Sequence, residues 1–315
     1  MLRVYNLIGR RDNKYKARIK ILVEEYGLEA YRADVQADMA QQSRKPFATV
    51  EQVYTQIESS FTSKINEPNN MVLDLKGQSL AFRTWSEKNL HSHKLAGYSI
   101  VSISLKPKGG IPGDATGDQM RAVADLAQEY SAGEVRVTHR QNLVLPYVKV
   151  QDLPAVFAAL VDLGLAEDNI GHASDIIACP GLDYCALATA RSIPVAQILS
   201  EKLREREKRD DLSNISLNIS GCINACGHHH AANIGILGLN RNEQEYYQIT
   251  LGGRSDANAG VGDILGPGFS FEEVPKAIDR ILDFYVEKKH GVESFSDAYA
   301  RLGKQAFKAA VYVAA

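Results

Sequence analysis

Apolar and polar positions alternate most cleanly in the run YSIVSISL at 98–105, where Val101, Ile103 and Leu105 share one side. A period of two predicts a half-buried strand. A Gly/Pro loop, KPKGGIPGDATG, follows at 106–117, and then the period lengthens. Met120, Val123, Ala124 and Ala127 recur at helical spacing and predict a helix over 118–130 with those four facing inward. Strands over 134–138 and 143–148 flank a hinge at His139–Asn142, and a second amphipathic helix covers 153–163. The order βαββα is that of a ferredoxin-like half-domain packed against something larger, which makes the fold class α+β. Beyond 165 an α/β segment is predicted. It has strands at 215–219, 233–239 and 246–251, a Gly-rich stretch at 252–268, and helices at 271–288 and 297–311. Residues 1–35 read as helix with Gly27 as a stop, 36–75 as polar and helical, and the charged run EKLREREKRDD at 201–211 as an exposed helix end. The resulting division is 1–89, a helical linker region; 90–164, the half-domain; and 165–315.

Charge narrows the function classes. Lys plus Arg is 36 and Asp plus Glu is 38, a formal charge of −2 that excludes a globally basic nucleic-acid binder. No apolar run approaches the ~20 residues of a membrane helix. The first residues, MLRVYN, lead into charge rather than a signal-peptide core, which predicts a cytoplasmic protein. One local excess stands out: Arg10, Arg11, Lys14, Lys16, Arg18 and Lys20 against Asp12 alone. Such a run is either a solvated face or a cationic edge toward an acidic cofactor or partner.

Chemistry concentrates in the cysteines. The chain has four, Cys179, Cys185, Cys222 and Cys226, all inside one short window. In a chain otherwise free of cysteine this points to a metal site rather than disulfides. Five residues separate the first pair and three the second. Zinc knuckles use two to four, so the wider spacing suits a larger object touched at separate corners, such as an iron–sulfur cubane held by four thiolates. Gly181, Gly221 and Gly227 would let backbone amides approach the sulfides, and Ala186–Ala190 offers small packing that keeps water out. Zinc held by some cysteines with His228, His229 or His230 is the competing arrangement.

These residues resemble a known family. Cys-x5-Cys followed by SGCINACG at 220–227 is similar to the signature of sirohaem-dependent nitrite and sulfite reductases, and its Cys222–His230 neighbourhood looks closest to bacterial sulfite reductase haemoproteins. RVTHRQN at 136–142 lies where that family carries its hinge beside sirohaem. GGR at 252–254 and ESFSD at 293–297 follow in the same order. The resemblance covers about 90–300 and implies a 4Fe–4S cluster held by Cys179, Cys185, Cys222 and Cys226 within a cluster- and sirohaem-binding domain at 165–315. It makes Cys226 the thiolate shared with the sirohaem iron. Asn224 would shape the loop beside the cofactors, and Arg140, Gln141, Asn142 and Arg254 would meet the carboxylates of sirohaem, with Arg140 also serving the reaction. The activity implied is assimilatory reduction of sulfite to sulfide by six electrons, or of nitrite to ammonia, with ferredoxin or a flavoprotein as donor. A non-catalytic metal or redox module is the alternative from another class.

Members of that family are about twice this length and contain two related halves. This chain resembles the second half. The cations that grip the substrate anion come largely from the first, and Lys106 and Lys108 are not at matching positions. A half of this kind is expected to expose a strand edge and an apolar face. It would therefore pair with a separate N-terminal half or with itself, not with a membrane or nucleic acid.

Overall fold

A computed structural model describes residues 1–42, 48–61, 65 and 71–312, in two compact units, 1–64 and 65–315. In the first unit, helices α1 (Leu2–Ile8), α2 (Ile19–Tyr26) and α3 (Leu28–Gln41) pack around buried Val4, Leu22 and Tyr31. Helix α4 (Val50–Ser60) starts at a capping box between Thr49 and Gln52. Residues 1–35 are therefore not one helix. The Asn13 side chain accepts from the Tyr15 amide at 2.9 Å, forming a local turn, and Arg10 pairs with Asp12 at 2.6 Å. Arg10, Arg11, Lys14 and Lys16 consequently sit in a loop, while Gly27, at φ +93°, ends α2 as predicted. In the 36–75 stretch read as helical, 71–75 forms no helix, and 43–47, 62–64 and 66–70 lie outside the described residues.

The second unit opens with α5 (Leu80–Asn89), then β1 (Leu90–Ser92), β2 (Tyr98–Ile103), α6 (Gly117–Tyr130), β3 (Arg136–Val137), β4 (Leu143–Lys149) and α7 (Leu153–Asp162). The strands form an antiparallel sheet in the order β1-β2-β4-β3. This is the predicted ferredoxin-like unit with one short strand added at its edge. Val101, Ile103 and Leu145 are fully buried, as their alternation requires. Helix α6 lies differently from expectation: Val123, Leu126 and Ala127 are buried, whereas Met120 and Ala124 face solvent. The inward stripe runs through Leu126 rather than Ala124, because the larger apolar side chain gains more from burial. At the sheet margin Val137 is 81 % exposed. Helix α5 packs on β1 and β2, where Trp85 is fully buried with its ring 5.1 Å from Phe157 and 6.0 Å from Phe82.

The remaining elements are β5 (Ile177–Ala178), α8 (Gly181–Tyr184), α9 (Ile193–Arg206), β6 (Leu217–Ser220), β7 (Ile234–Arg241), β8 (Gln244–Leu251), β9 (Asp263–Ile264), α10 (Val274–Lys288), α11 (Phe295–Leu302) and α12 (Lys304–Val311). The strands are ordered β5-β6-β7-β8-β9, with the β5–β6 and β6–β7 pairs parallel and the rest antiparallel. Burial of Ile219, Ile236, Ile249, Leu199 and Ile281 builds a second core between this sheet and its helices. Two expectations are corrected here. The helix over 297–311 is broken by Gly303 at φ +80°. The charged run at 201–211 is not simply exposed: Leu203 and Arg206 are buried, and Arg206 pairs with Asp210 at 2.9 Å and with Asp283 of α10 at 2.8 Å. Among the described residues no helix is long and apolar enough to cross a membrane.

Because Trp85 fills the junction of α5 with the half-domain, Trp85→Ala should lower the unfolding free energy by about 3–5 kcal/mol, read from urea midpoints. A change under about 1 kcal/mol would mean that α5 is not part of that core.

Candidate metal and cofactor site

Both cysteine loops leave the carboxyl ends of neighbouring parallel strands. Ala178 of β5 lies opposite Ile219 of β6, so Cys179 and the loop after Ser220 emerge side by side. This is the edge at which parallel sheets hold their ligands. The Cys179 amide donates to the Ile219 carbonyl at 3.1 Å and continues the ladder by one residue. In return, the Gly221 amide donates to the Cys179 sulfur at 3.1 Å, and the Ser192 hydroxyl lies 3.5 Å from the same atom. The amide contact stabilises a thiolate, while the Ser192 proton goes to the Cys179 carbonyl at 2.6 Å.

Close approach of the two loops depends on glycine at Gly181 and Gly221. A Cβ on Gly221 would stand 2.6 Å from the Ala190 carbonyl and 2.9 Å from the Gly181 Cα. Gly181 itself has φ +57°, and a Cβ there would meet the Ser192 amide at 2.6 Å. The Ala190 and Thr189 amides donate to the Gly221 carbonyl at 3.0 and 2.9 Å, tying the loops together behind the sulfurs. Ala188 and Ala190 are buried there, which is the small packing the sequence predicts.

Cys179 and Cys222 are buried, Cys185 is half-buried and Cys226 is exposed. Partial desolvation, followed by the charges of Cys179, Cys222 and Cys185, holds the Cys226 thiol above its ordinary value. Cys226 therefore senses each of the other three cysteines. Among the described residues, no three side chains of His, Cys, Asp or Glu converge on a position for a single metal ion. The His229 ring is buried, with its basicity pushed down to about 4 by burial and by His230. Four thiols on a glycine-lined rim, with an amide aimed at one sulfur, fit a polynuclear iron–sulfur cluster.

Cys226 opens onto a cleft lined also by His139, Arg140, Gln141, Asn218 and His228. Arg140, Ser216 and Ser255 continue into an adjoining polar recess that Arg254 and Asn233 complete. Arg140 lies between the two, lining the cleft with Cys226 and Gln141 and the recess with Arg254. Arg254 pairs there with Asp256 at 2.7 Å and Asp297 at 3.0 Å. Gln141, in the left-handed region at φ +57°, donates from Nε2 to the Ala178 carbonyl at 2.8 Å and accepts the Ala178 amide at 3.1 Å. Its side chain docks the hinge onto the strand that carries Cys179. Asn142 is buried, its amide turned to Leu105, Lys106 and Asp175, and Asn224 is exposed in the Cys222–Cys226 loop. The connection after β2 packs on the hinge, since a Cβ at Gly113 would lie 2.9 Å from the Gln141 Cβ.

Sequence reading missed three contributors. Thr138 accepts the Arg140 and Asn142 amides at 3.2 and 3.1 Å and shapes the hinge. Lys106 and Asp175 form a buried ion pair beneath it. Asp175 was the legible one, a lone acid in the apolar run ASDII, whereas Lys106 follows an alternation that would place it outward.

Residues 96–163 match the family described as nitrite/sulfite reductase ferredoxin-like half domain, and 172–314 the one described as nitrite and sulphite reductase 4Fe-4S domain. The chloroplastic ferredoxin–nitrite reductase of Zea mays is 27 % identical over 299 residues, covering 90 % of this chain and 46 % of its own. The NADPH sulfite reductase hemoprotein beta-component of Methylorubrum extorquens is 25 % identical over 297 residues, covering 94 % and 43 %. The solved structure of Mycobacterium tuberculosis NirA protein superposes with a TM-score of 0.61 at 25 % identity, over 95 % of this chain and 50 % of that one. Dissimilatory sulfite reductase I shares the fold, with a TM-score of 0.56 at 14 % identity. The chain spans about half the length of the curated relatives it matches.

Gly221→Ala should prevent the two loops from closing. Purified protein is expected to lose most of its iron and acid-labile sulfide while its far-ultraviolet circular dichroism persists. Full cluster content in that variant would show that the close approach is dispensable.

Proposed function

We propose, for a chain that belongs to the sirohaem- and 4Fe–4S-containing nitrite and sulfite reductase family, that it is the cofactor-binding part of an assimilatory sulfite reductase. The observation that carries this reading is the cleft that the exposed Cys226 lines together with Arg140, beside a recess that Arg140 lines together with Arg254. When bound, sirohaem and the cluster supply an open iron for the anion and a store of single electrons.

The chain's own residues have separable tasks. Cys179, Cys185, Cys222 and Cys226 would hold the cluster, and Cys226, which lines the cleft, would also serve sirohaem. Arg140 and Arg254 offer guanidinium groups to carboxylates, the fork geometry that suits such groups. Gln141 fixes the hinge to the first cysteine strand, so that Arg140 and Cys179 keep one spacing. Asn142 secures that hinge from beneath, and Asn224 shapes the loop between Cys222 and Cys226. The remaining cations for the substrate anion come from a separate N-terminal half or a second copy, and ferredoxin or a flavoprotein delivers electrons.

Sulfite is supported by the haemoprotein relative, whose match reaches over 94 % of this chain. Nitrite is the second reading, favoured by the ferredoxin–nitrite reductases at 24–27 % identity over 90 % of it. The chain co-produced with its partner half and assayed with reduced methyl viologen should consume sulfite in preference to nitrite. Cys226→Ser should abolish turnover and cofactor coupling, whereas Arg140→Ala should mainly deplete extractable sirohaem and leave the cluster spectrum. Preference for nitrite selects the second reading, and absence of both reactions with both cofactors in place would refute the reductase assignment.

A further inference from the structure

One buried charged group has no task in the account above. Lys106 is 2 % exposed, and the Asp175 carboxylate beside it is wholly enclosed. An ammonium has three protons to donate. Here they meet the Arg140 carbonyl, Asn142 Oδ1 at 3.1 Å and Asp175 Oδ1 at 2.5 Å. With its donors engaged inside the protein, Lys106 is not presented to a ligand.

Asp175 is shared among several donors. Its Oδ1 also accepts from Asn142 Nδ2 at 3.1 Å, while Oδ2 accepts from the Gly171 amide at 3.1 Å and, at a longer 3.4 Å, from Arg140 Nε. Two cations thus face one carboxylate, and the closer is Lys106. Burial lowers the basicity of Lys106, Asp175 opposes that shift and Arg140 adds to it, so the three groups sense one another. Arg140 meets Asp175 through Nε alone, and its side chain also lines the cleft with Cys226.

We infer that Lys106 is a positioning residue that neutralises Asp175 and thereby leaves the terminal nitrogens of Arg140 to a carboxylate in the cleft. This rests on the reading that the cleft takes a polycarboxylate macrocycle. Without Lys106, Arg140 would be the cation left for a buried carboxylate, and the 3.4 Å contact would close into a full ion pair with the guanidinium turned inward. Removing both charges of the buried pair would release Arg140 again.

The test compares wild type, Lys106→Met, Asp175→Asn and the Lys106→Met/Asp175→Asn double variant, each with and without Arg140→Ala. Sirohaem per mole of cluster is measured by extraction from the purified holoprotein. Binding of uroporphyrin III, a carboxylated macrocycle without iron, is followed by fluorescence on the cluster-loaded, sirohaem-free fraction. Lys106→Met should weaken macrocycle binding roughly tenfold or more, the scale of a lost charge-assisted contact. The double variant should return to within about threefold of wild type, well inside that loss. Arg140→Ala should add nothing to Lys106→Met yet weaken the double variant as it weakens wild type.

Wild-type binding in Lys106→Met, or no recovery in a folded double variant, overturns the inference. If Lys106→Met does not fold, Asp175→Asn decides, because it should bind the macrocycle at least as tightly as wild type and weaker binding overturns the proposal. A wild type that holds no sirohaem but binds uroporphyrin in the Lys106-dependent way retires the functional reading alone. Sirohaem retained equally in every variant retires the inference alone, and a wild type that binds neither macrocycle retires both.

Discussion

Parallel pairing of β5 with β6 is the constraint on which the rest of the site depends. Opposing Ala178 to Ile219 fixes where each chain leaves the sheet, and the two cysteine loops follow from that register. A strand places successive side chains on opposite faces, so a shift of one residue would turn Cys179 away from Cys222. Register is in turn specified by burial: Ala178, Leu217 and Ile219 belong to one core with Ile234 and Ile236 of the next strand. The positions of the cysteine loops are therefore set by hydrophobic packing in the strands that precede them.

A second junction joins the half-domain to that sheet. The Gln141 amide mimics a strand neighbour by giving and taking one hydrogen bond at Ala178, immediately before Cys179. Beneath it, Asn169 donates to the Lys106 carbonyl at 3.1 Å, and Asn142 donates to Asp175. Polar groups buried this deeply specify one arrangement strongly, since each lost partner leaves another unsatisfied. The half-domain thus acts as a brace that carries Arg140 to the mouth of the cysteine site.

What could be read in advance follows from how local each signal is. The βαββα order was legible because alternation at 98–105 and helical spacing at 153–163 are properties of contiguous residues. The cysteine pairs were legible for the same reason, with Gly181 and Gly221 beside them. The turn at Asn13 and the break at Gly303 were not, because one side-chain hydrogen bond or one positive φ overrides a helical pattern. Met120 shows a related limit, since which of two overlapping apolar stripes of α6 faces inward is decided by what the helix packs against. Least visible was Lys106, whose partner Asp175 lies far along the chain and whose burial depends on both domains being formed.

The chain corresponds to about half of its relatives, yet the described residues include four cysteines on two neighbouring loops, one of them lining a cleft. The central claim is that the four sulfurs hold one polynuclear cluster. Iron, zinc and acid-labile sulfide determined together on anaerobically purified protein test it most directly. The account predicts about four iron and four sulfide per chain with little zinc, and one zinc without sulfide would contradict it.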